Sequence, residues 1–419
     1  MSGLLAGFGG AFAALIAASL LHAFLPRHVP AVILLAIGYI VGTGGLGWVT
    51  EERVGRALPL ALMLGAGWIS MGAARAAVAT FRRTASRSGI SWAAGFAFVG
   101  PSCLAGCLAP IAVTMIGPAG LSIPALIIVV AAAVLADPSP FRSRAASDSV
   151  NAHRLREAIR TSEAFNSCVL LAWPAYWAVA RALSLGDGPA AEVMAGSVAL
   201  SYGAGIALGI LGILLVRIVS GGLLMAAFIF IIVVSGAVLS SILAVSSVAV
   251  CFLAALLIAQ EKHKRDLLFN SAKNLEGPFR VLFLTAVGAA APRWSGIAGP
   301  LLIVAVVLAG RFMLGFLADM ALGSVSGGAP SRRIGWILAV PHALSAAMMV
   351  EAWLLLRQRE AVVEQIEPAG ATAQAHASAL NWGAGSLPPV APFLLAVGLG
   401  DLIGRWLLKR KLAGSGRYW

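Results

Sequence analysis

Charge is in short supply in this sequence. Only 11% of its 419 residues are Asp, Glu, Lys or Arg, against about 25% in a soluble globular domain. Beside a hydrophobic content of 60%, that shortage excludes a fold built for water. Cysteine is scarce too: Cys103, Cys107, Cys168 and Cys251 all lie in apolar segments, so no disulfide framework is implied. Cys103 and Cys107 are one helical turn apart, but no His, Asp or Glu stands near enough in sequence to complete a metal site. They read as small packing residues, and no metal is expected. There is no H-E-x-x-H helix, no convincing Ser-His or paired-Asp arrangement and no phosphate-binding loop. A non-enzyme without a cofactor follows, and ATP-driven pumping has no support. The formal charge of +13 comes without an aromatic-basic stripe, which argues against a nucleic-acid partner. The first apolar run starts at Leu4 with no basic residue before it, so no cleavable signal is expected.

What the sequence does have is apolar runs along its whole length. Each approaches the roughly 20 residues that cross a ~30 Å hydrocarbon layer. Lipid offers no partner to a free backbone amide, so only helices or closed barrels cross. Barrel strands alternate apolar and polar residues, whereas these runs are apolar on every side, and the fold class is all-α. The runs predict about thirteen transmembrane helices, at 4–25, 29–49, 57–79, 91–116, 119–140, 156–181, 190–219, 222–241, 242–260, 277–291, 297–322, 334–357 and 387–409. The split between 222–241 and 242–260 rests on Val234-Ser235-Gly236 and Ser240-Ser241 alone, and the helix at 277–291 is short.

Thirteen crossings put the termini on opposite sides. With these boundaries the clusters at Arg82-Arg83, Arg142-Arg144, Lys262-Lys264-Arg265, Arg332-Arg333 and Lys409-Arg410-Lys411 share one side with Arg217. Only Arg53, Arg56, Arg181, Arg293, Arg357 and Arg359 fall on the other. The excess of Lys and Arg on cytoplasmic loops then predicts an inner-membrane protein with its N-terminus outside and its C-terminus in the cytoplasm. The whole chain, 1–419, reads as a single transmembrane domain. Segments 28–118 and 190–260 carry scaffold and first-repeat helices, and 358–386 is an Ala-rich outer loop with Glu360, Glu364 and Glu367.

An ionisable group at mid-bilayer costs several kcal/mol, so its presence points to function. Five places stand out. Asp137-Pro138-Ser139-Pro140 closes an apolar run; its two prolines remove helix hydrogen bonds, leaving carbonyls and a carboxylate able to hold a cation, or simply a helix end. Glu163, Asn166 and Ser167 share a face at spacings of three and four and put a carboxyl, an amide and a hydroxyl on one stripe, for a cation or proton or as glue between helices. Arg311 is too deep to snorkel and needs a counter-charge; Asp319 beyond it reads as a cap. Pro341-His342 distorts the helix 334–357 and places an imidazole there. Asp401 and Arg405 are four apart and pair by default. Two interrupted helices, 119–140 and 334–357, in corresponding halves point to a secondary transporter with inverted repeats, crossing broken helices and a mid-membrane site.

Several stretches carry a family likeness. Val29 to Gly47, reading VPAVILLAIGYIVGTGGLG, Ala136-Asp137-Pro138 and Arg154 to Val169, reading RLREAIRTSEAFNSCV, are three. With Arg311 and Pro341-His342-Ala343, in this order and spacing, the chain resembles the cation:proton antiporter superfamily, the monovalent sodium/proton and potassium/proton exchangers. The likeness covers nearly the whole chain. It implies that Ala136-Asp137-Pro138 matches the T-D-P of an unwound crossing in helix five. Asn166 then matches the Asn or Gln of helix six, and Arg311 a basic residue of helix eleven. Pro341 and His342 fall in the second broken helix. The sequence departs from the pattern where it matters most. The ion-binding Asp of helix six is replaced by Ser167, or, with Glu163 aligned to the family's E-S-x-x-N-D motif, by Cys168.

The resemblance implies exchange of sodium or potassium for protons by alternating access, in a homodimer embedded in the lipid bilayer. Glu163 would exchange the proton, Asp137, Asn166 and Ser167 would supply cation oxygens, and Arg311 would be the structural counter-charge. Two rivals stay open: a same-fold transporter of an organic solute or anion, and a non-transporting subunit that has lost the ion site.

Overall fold

The computed structural model describes residues 31–42, 45–48, 57–83, 159, 163, 165–179, 190–219, 221–243, 245–261, 264–290 and 347–348. Every element among them is a helix: α1 (Ala31–Val41), α2 (Ala57–Arg83), α3 (165–179), α4 (Ala190–Ile218), α5 (Gly222–Leu243), α6 (Ser247–Ile258) and α7 (Arg265–Ala290). The helices expected at 4–25, 91–116, 119–140, 297–322 and 387–409 lie outside the described residues, as does that at 334–357 except for buried Ala347 and Met348.

The centre of the described bundle is α6. It is apolar all round, and Val248, Ala249, Val250, Cys251, Phe252, Ala254 and Ala255 are fully buried. A helix without a polar face settles only where neighbours cover every side, and α2, α4 and α5 pack around it. Ser246 caps its first turn, its Oγ accepting from the Ala249 amide at 3.1 Å, which satisfies one of the amides a helix start leaves open. The expected division of the run 222–260 into two helices is therefore present, with non-helical residues 245–246 between them. The Ser240-Ser241 signal falls just before it, whereas Val234-Ser235-Gly236 continues as helix.

Two helices, α4 from Met194 to Ile218 and all of α5, are long and apolar enough to cross a bilayer. Their outer faces are apolar as well. Leu200, Ile206, Ile210, Leu211, Leu214 and Leu215 of α4, and Leu223, Leu224 and Ile231 of α5, are exposed. A soluble monomer rarely shows so extended an apolar surface; hydrocarbon chains cover it without penalty.

Hydroxyls inside the bundle turn back on their own helices. Ser70 Oγ donates to Gly67 O, Ser201 Oγ to Ser197 O, Ser240 Oγ to Gly236 O and Thr285 Oγ1 to Val281 O, at 2.7–2.8 Å. Each lies three or four residues from its acceptor, within reach of a carbonyl already in the helix ladder.

The expectation for 277–291 needs correction. The helix begins twelve residues earlier, at Arg265, and runs through Pro278. Its first half is amphipathic, not a loop: Leu268 is buried, and Leu267, Ala272 and Leu275 pack against the core. That spacing holds the segment helical, and Pro278 removes only one amide donor from it. The run 29–49 is also shorter than expected. Its helix ends at Val41, and a hydrogen-bonded turn follows, in which Gly47 takes φ 66°.

The tightest contact is between α1 and α7. A Cβ on Gly38 would lie 2.1 Å from Thr285 O, one on Gly42 2.3 Å from Ala289 Cα, and one on Gly288 2.2 Å from Leu35 O. These are backbone against backbone, so no side chain can move aside. Gly38-x-x-x-Gly42 thus opens a channel in α1 for Thr285, Gly288 and Ala289 of α7, the small-residue packing by which helices approach closely in lipid. Gly72 on α2 has open space instead. Gly38→Ala is expected to lower the melting temperature in detergent by an amount matching about 1–3 kcal/mol of overpacking. Gly72→Ala is expected to leave it unchanged or raise it slightly through the better helix propensity of Ala. Equal melting of the two variants would remove the claim.

Candidate functional site

Three of the expected site residues lie at the start of α3 and just before it. Glu163, Asn166 and Ser167 are all buried, at 9%, 7% and 2% exposure. Their spacing places them on one helical face, continued by Leu170, as expected. The Ser167 hydroxyl donates to the Glu163 backbone carbonyl at 2.6 Å. Its proton is therefore held, while its oxygen lone pairs stay available to accept or to coordinate. Glu163 and Asn166 are each engaged by neighbours. A buried carboxyl, amide and hydroxyl oxygen on one stripe form a donor set suited to a small hard cation or a proton. No group of three or more His, Cys, Asp or Glu residues able to hold a metal occurs among the described residues. Asp137, Arg311, Pro341 and His342 lie outside them, so only the Glu163, Asn166 and Ser167 part of the expected site is brought together here.

The helix that carries this stripe holds a proline, Pro174, four residues past Leu170. Pro174 has no amide to offer Leu170 O, and its ring crowds the preceding turn. The next carbonyl, Leu171 O, receives the hydroxyl of Tyr202 from α4. This bond ties the half of α3 beyond the stripe to a helix that α6 holds in place. Neither Pro174 nor Tyr202 stood out in the sequence, because a proline in an apolar run and a lone tyrosine carry no motif. Their signal is the pairing itself, visible only once α3 and α4 are side by side.

Two charged residues of α7 were also passed over. Glu276 is exposed and Arg280 half-buried. A helix starting at 277 puts Arg280 at its end, where a charge is unremarkable; a helix starting at Arg265 puts it in the second half. The Arg280 Nε is buried without a hydrogen-bond partner among the described residues, as are Trp177 Nε1 and Ser247 Oγ. Immediately before Arg280 in sequence, Phe279 stacks on Trp68 of α2, with ring centroids 4.1 Å apart and planes 5° from parallel, and leans on Phe230 of α5.

At the end where α4 finishes, Lys264 Nζ donates to Arg217 O at 2.8 Å and Val219 O at 2.5 Å. Arg217 Nε pairs with Glu261 at 3.2 Å. An ammonium on the last carbonyls of a helix meets both the open acceptors and the negative end of the helix dipole.

Tyr202→Phe is expected to destabilise the detergent-solubilised protein by about 1 kcal/mol, the worth of one buried hydrogen bond. The loss should shrink when Pro174→Ala is also present, because an undistorted α3 has less need of the outside donor. Strictly additive melting shifts would separate the tyrosine from the proline.

No family model matches the chain, and no curated protein matches it by sequence. A solved structure does: the sodium proton antiporter MjNhaP1 from Methanocaldococcus jannaschii, with a TM-score of 0.62, covering 98% of this chain and 97% of that one at 15% identity. The chain is similar in fold, over nearly its whole length, to a membrane antiporter.

Proposed function

We propose that the protein is a secondary transporter that exchanges a monovalent cation, sodium or potassium, for protons by alternating access. Glu163 carries the reading. It is a buried carboxyl beside Asn166 and Ser167, in a chain similar in fold to a sodium proton antiporter. Proton and cation compete for that one carboxylate, so each enters only as the other leaves. Asn166, Ser167 and Asp137 contribute oxygens, and Arg311 balances the crossing of two broken helices, the second at Pro341-His342. The remaining parts belong to the same proposal: about thirteen helices in inverted repeats, N-terminus outside and C-terminus cytoplasmic, a homodimer in the inner membrane, and transport without chemical conversion of the passenger.

A second reading has its own support. Ser167 stands where the resembled family places an ion-binding aspartate, and Arg280 offers an N–H donor without a partner among the described residues. Both suit a same-fold transporter of an organic anion.

The test is exchange in sealed proteoliposomes carrying a pH-sensitive dye. Sodium or potassium added outside is expected to collapse an imposed pH gradient. Glu163→Gln, which keeps size and hydrogen bonding but cannot ionise, is expected to abolish that response while the protein still melts normally. Full exchange in the Gln variant would remove Glu163 from the mechanism. No exchange with either ion in the parent protein, with organic anion uptake instead, would favour the second reading.

A further inference from the structure

α7 carries a graded face, of which the readings above use only the Arg280 donor. Two rungs set its depth against α5. Ser271 Oγ donates to Gly222 O at 3.2 Å, at the first residue of α5. Eight residues further along both helices, Phe279 meets Phe230. The helices therefore run parallel and level, and Arg280 lies nine residues past Ser271, about 13 Å at 1.5 Å per residue. Taking α5 as a bilayer span, that is close to the middle of a ~30 Å hydrocarbon layer.

The other faces of α7 are occupied. Thr285, Gly288 and Ala289 meet α1, and Phe279 and Phe283 meet Trp68 and Gly65 of α2. Glu276 and Arg280, four apart, share a stripe at the edge of the α2-facing side, since Phe279 and Phe283 stand three and seven residues past Glu276. Exposure falls steadily along it. Glu276 is exposed, Gly277 and Arg280 are half-buried, the Arg280 Nε is sealed, and Leu284 and Val287 beyond are 0% exposed. An exposed carboxylate in the same helix as a mid-membrane guanidinium is not stable against hydrocarbon; it is stable against water.

We propose that this face of α7 lines a blind, water-filled passage that opens at the Lys264 end and stops at Arg280, whose guanidinium, its Nε unpartnered among the described residues, draws small anions, carboxylates above all, to its floor. Arg280 needs an acceptor because an unpaired buried N–H of a charged group is costly, and its Nε has none among the described residues. The proposal requires α4 and α5 to span a bilayer and is independent of which ion the protein exchanges.

Charged thiol reagents test it. Glu276→Cys in the full-length protein is reconstituted in vesicles and exposed from each side to an anionic and a cationic methanethiosulfonate, the parent chain giving the background. Ile231→Cys, level with Arg280 but on the apolar exterior of α5, is the lipid-facing control. Glu276→Cys is expected to react from the Lys264 side only, and Ile231→Cys from neither. The anionic reagent should be favoured about tenfold over the cationic one, from a unit charge about 6 Å away in water. Arg280→Gln in the same chain should bring that ratio near one without ending the labelling. Gly277→Cys gives a second reporter on the same face if the first folds poorly. Labelling no faster than at Ile231→Cys would overturn the passage. A rate ratio untouched by Arg280→Gln would overturn the role of the guanidinium. Either failure leaves the exchange assay on Glu163 standing, and failure of that assay leaves the passage standing.

Discussion

A polar group inside this bundle has no water to fall back on, and the described helices are arranged around that fact. Ser70, Ser167, Ser201, Ser240 and Thr285 each bond a carbonyl three or four residues earlier in their own helix. The habit removes the cost of a bare hydroxyl and asks nothing of neighbouring helices. Those neighbours can then meet through glycine and small apolar side chains, as α1 and α7 do. Packing here is steric, and the polar chemistry is kept local to each helix.

Departures from that economy mark where the molecule does something besides hold together. Tyr202 reaches across to α3 and bonds the carbonyl next to the one that Pro174 leaves without its amide. Glu163 and Asn166 have long polar side chains buried with Ser167 on one stripe, where apolar residues would pack with less penalty. Arg280 keeps a sealed N–H without an acceptor among the described residues. The first of these three is structural repair. The other two place charge where lipid and packing give no reason for it, and they lie on different helices, α3 and α7.

Much of the architecture was legible in the sequence because bilayer length and hydropathy are coarse, strong signals. The spans of α2, α4 and α5 lie within a few residues of the expected ones, and the division of 222–260 was read correctly though not at the right residue. The start of α7 was misread because its first half is polar enough to pass for a loop; only the spacing of Leu267, Leu268, Ala272 and Leu275 betrays the helix. That error hid the depth of Arg280, since depth is counted from a helix end. The Glu163 stripe was legible because spacings of three and four fix a shared face without any knowledge of neighbours. The Tyr202 bond was not, because it joins residues thirty-one apart through packing. The fold similarity extends over nearly the whole chain at 15% identity, which fits a protein whose shape depends on where helices start and small residues fall more than on which apolar side chain fills each place.

The clasp of Lys264 on the end of α4 has a mechanical consequence. It closes residues 217–264 into a stapled ring of chain, with α5 and α6 inside the ring and α4 and α7 entering and leaving at the staple. An axial push on α7 is therefore delivered to α4 through an ammonium and two carbonyls, without passing through the connecting segments. Any sliding or tilting of α7 that accompanies a working cycle must drag the foot of α4 with it, or else first unfasten that single lysine.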